Sequence, residues 1–413
     1  MTGDFSNKSA DASVTIAVRH ALGWLVFGNA VGFYLALLVL EPRLQMGIWT
    51  YGRWMPVHLN VQLYGWTSLP LIAWLLSIYQ VDDSRHAPWG PAAVWAWTAS
   101  LAIGAHQWLG GVTSGKLFLD WKGPALGSFV AAQVVLWVVL AVAWNDRRRG
   151  WNRRRRIATF IALIGLALVP VSMVFAASPA VYPPIDRTTG GPTGSSLLGS
   201  ALFVIGLMLL LPRLISGNPR RGRNRATWWY FGLSWVVFGV TEAIGGTHRD
   251  GVQILSMLFL LPWVWLLPRD WRGFDWPAGS VSWQRSMIPW WGLLVLTGVG
   301  MYQAGVLDRI KFTQALVAHS HLAMAGFTTS FCALLCVLLT RRAIGNRLSV
   351  PLWHGAALVM ILTLAFAGWL EGADSHWMTE TPGWRTAGFV LRASSGAVML
   401  AASVQWLAQF QKS

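Results

Sequence analysis

Four histidines on three apolar stretches carry the chemistry that this sequence offers. His58 lies in WMPVHLNVQLYGW, His319 and His321 in ALVAHSHLAMAGF, and His248 in AIGGTHRDG. A neutral imidazole is a strong metal ligand and a good axial ligand for haem iron. The His-x-His spacing limits how the pair can be used. On a helix of 3.6 residues per turn, residues two apart point about 200° away from each other. His319 and His321 therefore cannot easily share one metal, but they can face two cofactors on opposite sides of one helix. One haem between His58 and one member of the pair, with a second haem on the other, satisfies all three. A lone histidine in a membrane helix is explained as well by a hydrogen bond to its neighbour. A set of them at one depth favours metal.

Those residues need elements to hold them, and composition says which. Of 413 residues, 54% are hydrophobic and only 12% charged, and the mean hydropathy is +0.48. A soluble domain carries about twice that charged fraction. Apolar runs of roughly 20 residues, each long enough to cross a bilayer, recur along the whole chain. The expected fold is all-α, a bundle of about twelve transmembrane helices forming a single polytopic membrane domain over residues 1–413. The expected spans are 15–40, 56–80, 89–109, 124–145, 156–178, 193–214, 227–247, 251–268, 287–307, 312–340, 350–370 and 385–409. The segment Met1 to Ser13 is polar and acidic, unlike a cleaved signal peptide.

The net charge of +16 is gathered in short loops, which argues for membrane orientation and against nucleic acid as a partner. The basic loops Arg147 to Arg156, Arg213 to Arg225, Arg269 to Arg285 and Arg341 to Arg347 follow spans four, six, eight and ten. All fall on one side, as the positive-inside rule requires of a cytoplasmic face, so both termini are expected there. Even-numbered spans then run inward. His58 starts span two from the outside, His319 and His321 lie in the outer half of span ten, and His248 ends the outward-running span seven. The four share a depth, whereas His20, His86 and His354 fall at the cytoplasmic edge. Cys332 and Cys336 lie one turn apart in an apolar span, where two thiols alone make neither a zinc site nor a disulfide framework. The 28 tryptophans read as interface anchors and packing.

The histidine at the outer end of span two, the His-x-His of span ten and the twelve-span count resemble the haem-copper oxidase superfamily. They are similar to the catalytic subunit shared by cytochrome oxidases and nitric oxide reductases, over essentially the whole chain. The resemblance implies two b-type haems. His58 and His321 would ligate the low-spin haem, and His319 would be the proximal ligand of the high-spin haem. WRTAGFVLRASSG resembles the family region that meets haem propionates, with Arg385 and Arg392 the candidates; interfacial snorkelling is an equal alternative for both.

The departures from the family are as informative. The family places a copper or iron opposite the high-spin haem, on one histidine of span six and an adjacent pair of span seven. Here Ser195 stands in the first position and the pair reads His248–Arg249. One imidazole of three is too few for such a copper site, so copper is unlikely. Glu242, six residues before His248, is the only carboxylate expected well inside a span, and the C-type branch of the family places its active-site tyrosine at that distance. An intramembrane acid is a functional hypothesis by default. Glu242 could donate protons to a gas at the high-spin haem, or hold a non-haem iron with His248; pairing with Arg249 or another buried cation is the alternative.

The resemblance thus implies a haem-binding subunit of a respiratory electron-transfer complex in a bacterial inner membrane, with its haem site towards the periplasm. Electrons would come from a c-type cytochrome, a separate chain since no Cys-x-x-Cys-His occurs, and further membrane subunits are expected. A high-spin haem could reduce dioxygen or nitric oxide. A non-catalytic haem relay, gas sensor or scaffold without copper is the alternative. A transporter is disfavoured, because no inverted repeat or pair of Gly/Pro-broken spans of the sort transporters show is visible.

Overall fold

The structure, a computed structural model, describes residues 11–178, 180–181, 193–215 and 225–412. Most of the Met1 to Ser13 segment, the middle of the basic loop after span six and the residues just before span six lie outside the described residues.

Among the described residues the regular elements are helices, beside one isolated bridge between Met46 and Trp49. Nine helical segments are long and apolar enough to cross a membrane. Three further helices, Trp89–Leu109, Arg225–Ile244 and Val281–Met301, are 20 or 21 residues long and complete the twelve expected spans. All three are rich in tryptophan, including Trp95 and Trp97, Trp228 and Trp229, and Trp290 and Trp291. An indole buries a large apolar ring but carries an N–H, which lowers the hydropathy of a helix without making it less able to pack.

Two spans are interrupted where proline removes a backbone donor. Span five breaks at Leu168, just before Pro170, and span eight breaks between Leu258 and Trp263, at Pro262. Span seven ends at Ile244, because Gly245 and Gly246 take φ of +72° and +105°, a left-handed conformation that L side chains resist. Its expected end was three residues later.

The described residues fall into two compact units. One is drawn from Pro183–Leu334 and Ala357–Arg392, the other from Ser6–Tyr182, Leu335–Ala356 and Ala393–Ser413. In both, helices approach through small residues, since lipid supplies no hydrophobic drive between helices and close van der Waals packing must do so. A Cβ on Gly199 would lie 2.6 Å from the Phe238 ring in the first unit, and one on Gly28 would lie 2.7 Å from the Gln62 side chain in the second. At the end of spans six and eight, Arg213 grips the buried Asp270 through two hydrogen bonds of 2.8 and 2.7 Å, a fork-to-carboxylate geometry that makes a buried acid tolerable.

Candidate haem-ligand site

In the second unit, span one (Ala12–Leu40) packs along span two (residues 51–78). His58 is half-buried, and its Nδ1 lies 2.8 Å from the carbonyl of Gly28 on span one. A carbonyl can only accept, so Nδ1 carries the proton and the neutral ring keeps its lone pair on Nε2. Such an outer contact fixes both the tautomer and the orientation of a ligating imidazole. Gly32 makes room for the ring, since a Cβ there would lie 2.6 Å from His58 Cε1. The outer loop 110–122 buttresses the same end of the span. Tyr64 donates to the Phe118 carbonyl at 2.9 Å, and buried Asn60 donates to Asp120 at 3.2 Å. Asp120 is 3% exposed. Burial raises its carboxyl above the usual range, against the hydrogen bonds from Asn60, Thr113 and Gly115.

In the first unit, span ten begins at Gln314. Glu371 accepts from the Gln314 amide at 2.9 Å and Thr313 from Ala315 at 3.2 Å, which satisfies two of the open N–H groups at the helix start. His319 and His321 follow in the second turn, both half-buried. His321 Nδ1 lies 2.8 Å from the carbonyl of Val317. His319 Nδ1 lies 3.1 Å from Thr297 Oγ1, and that hydroxyl spends its own proton on the Leu293 carbonyl at 2.7 Å. The hydroxyl oxygen therefore accepts, and Nδ1 of His319 donates. All three candidate ligands thus hold their lone pair on Nε2, as an axial haem ligand requires. On this ground the residues fit haem.

The two sites repeat one device. Span two turns from α into a π segment, Val61–Thr67, soon after His58; span ten does the same at Leu322–Thr328, directly after His321. The sequences align without a gap, VHLNVQLYGWTS (57–68) on AHSHLAMAGFTT (318–329). His58 matches His319, Gly65 matches Gly326, and Asn60 matches His321. Asn60 donates to the Pro56 carbonyl at 2.8 Å, just as His321 does to Val317. The preceding spans match too: Trp24 and Gly32 of span one correspond to Trp290 and Gly298 of span nine. This is an internal repeat, and its signal lay in the primary structure as His-x6-Gly followed by an aromatic residue and hydroxyls.

Spans six to eight hold something else. Ser195 is buried and donates to Glu242 Oε2 at 2.7 Å, while its backbone N–H donates to Gln253 at 2.8 Å. Gln253 in turn donates to the Gly245 carbonyl at 2.8 Å. Glu242 lies in the last turn of span seven and is exposed, so the expectation of a carboxylate well inside a span is corrected. The early glycine stop puts it at the helix end. His248 lies beyond that end, in a turn, with Nε2 3.2 Å from Asp308. Arg249 and Lys311 also donate to Asp308, at 2.8 and 3.0 Å. Those two cations, Arg249 first, hold the Asp308 carboxyl well below the usual range, with His248 adding a smaller effect in the same direction. Arg249 therefore pairs with Asp308. Asp308 stands outside the spans, which is why no reading of span residues found it. Ser195, His248 and Arg249 thus offer a hydroxyl, an imidazole held by a carboxylate and an ion-paired guanidinium, and they do not make a three-imidazole set. Among the described residues no group of three or more His, Cys, Asp or Glu side chains is arranged to hold a metal ion.

Arg385 is exposed and Arg392 half-buried, both on span twelve (Pro382–Lys412) in the first unit with His319 and His321. His58 belongs to the other unit.

No family model and no curated protein matches this chain. Solved structures do. A chain from a haem-copper terminal oxidase dimer solved by cryo-electron microscopy superposes with a TM-score of 0.61 at 13% identity, covering 97% of this chain and 84% of that one. At that identity the likeness is one of fold: this chain is a helical membrane bundle with the fold of a haem-copper oxidase chain.

Proposed function

We propose that this protein is a haem-binding membrane subunit of the haem-copper oxidase superfamily. It would hold a low-spin b haem between His58 and His321 and a high-spin b haem on His319. The observation that carries the reading is the common state of the three imidazoles, each with Nδ1 donating and the lone pair left on Nε2. The haems would supply the redox chemistry, passing electrons from a c-type cytochrome to a small gas, dioxygen or nitric oxide. The chain's own part is to orient the three rings and to exclude lipid and water around them. Arg385 and Arg392 would pair with haem carboxylates. Glu242, oriented by the Ser195 hydroxyl, would carry a proton at its carboxyl beside the reacting gas. The setting proposed is a bacterial inner membrane, with the haems towards the periplasmic face and other membrane subunits alongside.

A second reading is favoured by the Asp308 cluster. With His248 held by a carboxylate and Ser195 in place of an imidazole, the chain would keep its haems as a relay or gas sensor without reducing a gas. Carbon monoxide added to the reduced, purified protein separates a gas-binding haem, in a catalyst or a sensor, from a pure relay. The catalytic reading expects a high-spin haem that binds it, with the signal lost in His319→Ala and kept in His58→Ala. A reduced protein with intact haem bands and no carbon monoxide shift sinks gas reduction and leaves the relay.

A further inference from the structure

The inner halves of spans two and ten are locked by packing. Leu69, Ala73 and Leu76 of span two, and Cys332, Leu334 and Leu335 of span ten, are buried to within 1% of full. The outer halves carry the histidines. Between the two lies a π segment in each span, where the backbone bonds i to i+5 and one turn holds an extra residue. In an unbroken α-helix each residue advances the side-chain direction by about 100°. Removing the extra residue would therefore turn the histidines by about that angle against the locked inner half.

Each π segment is held by the same two kinds of contact. A tryptophan of the preceding span seats on its glycine: a Cβ on Gly65 would lie 2.6 Å from Trp24 Cβ, and one on Gly326 would lie 2.7 Å from the Trp290 ring. Hydroxyls bond the carbonyls five residues back, Thr67 to Gln62 at 3.2 Å, Ser68 to Leu63 at 3.0 Å, and Thr329 to Met324 at 2.9 Å. About two turns outward, the preceding span presents a second glycine to the imidazole edge: a Cβ on Gly32 would lie 2.6 Å from His58, whereas one on Gly298 would make an ordinary 3.7 Å contact with His319. A helix defect that recurs twice, with the same tryptophan, glycine and hydroxyl around it, is a built feature.

We infer that Trp24 with Gly65, and Trp290 with Gly326, are positioning pairs that hold the π turns and thereby aim His58, and His319 with His321, at their ligand positions. This rests on the haem-ligand reading above. The test uses the full-length protein in detergent, with optical and electron paramagnetic resonance spectra and the thermal midpoint recorded together. Gly65→Ala should change the low-spin haem signal alone. Gly326→Ala should change both signals, since both of its histidines ride on one helix. Replacing the facing ring, as in Gly326→Ala with Trp290→Leu, should restore the wild-type spectra by giving the new methyl room. Thr329→Val and Ser68→Ala keep the packing and remove only the hydroxyls, so they decide the matter if the alanine variants do not accumulate. They should shift the haem signals of their own span, and Thr329→Ser should restore them. Variants that lose thermal stability while every haem signal stays as in wild type would overturn the inference. A wild-type protein without haem would overturn the ligand reading itself, a distinct result.

Discussion

The outer end of span two and the outer end of span ten are built on one plan and finished differently. Both have a tryptophan seated on a π-turn glycine, a donating Nδ1, and a second polar residue bonded to the carbonyl four back. In span two that second residue is Asn60, buried and tied to the loop acid Asp120. In span ten it is His321, half-buried and able to serve as a second ligand. The loop acids differ as well. Asp120 is buried among neutral donors, whereas Asp308 is surrounded by Arg249, Lys311 and His248. One scaffold thus presents one imidazole or two, and what changes between them is the residue two places on and the charge around the neighbouring loop.

The largest effects should come from the ligands. His58→Ala should remove the low-spin signal completely and leave the high-spin one, while His319→Ala should do the reverse. His321→Ala should behave like His58→Ala, because the two are proposed to share one iron. If His321→Ala abolished the high-spin signal instead, the repeat's own pairing of His58 with His319 would be the better guide to shared ligation.

Next comes Glu242→Gln. If spans six to eight contribute a proton donor and no metal, gas reduction should fall by about a hundredfold or more, the usual range for a lost acid–base group, with both haem spectra unchanged. Haem spectra that move with Glu242→Gln would place the residue among the ligand supports instead.

Smaller effects should appear in stability, and with opposite signs. The Asp120 carboxyl is raised by burial, so the folded protein binds its proton first. Its contribution should become more favourable as pH falls from above its raised value to the ordinary carboxylate range. Asp308 is held low by its cations, so its contribution is complete above the ordinary range and erodes as pH falls through it towards the folded value. Thermal unfolding against pH should show the first slope vanish in Asp120→Asn and the second in Asp308→Asn. Asn60→Ala, which strips a buried acid of a donor, should cost about 1–3 kcal/mol. Asp308→Asn should cost about 1 kcal/mol or less, because the cluster is partly solvated. A matching pH response from both loops would dissolve the contrast drawn here.

Much of this was legible in the sequence. Apolar length and the side on which arginines gather gave the twelve spans, and the His-x-His motif pointed to the helix that carries the second set of candidate ligands. What was missed has physical reasons. The end of span seven was misplaced because hydropathy runs on past Ile244 while Gly245 and Gly246 turn the backbone. The π turns leave no mark on a 3.6-residue pattern; only the match of 57–68 to 318–329 betrays them. Arg249 was weighed against Glu242 because they are near in sequence, but the acid that takes it, Asp308, is 59 residues away. Thr297, which fixes the tautomer of His319, looks like any hydroxyl in an apolar helix until the fold sets it beside the ring.

The most direct test is to purify the protein, extract and count its haem, and record the electron paramagnetic resonance spectrum of the oxidised form. The account predicts two b haems per chain, one low-spin with two imidazole ligands and one high-spin. A colourless protein, or a single haem that survives both His58→Ala and His319→Ala, would contradict it.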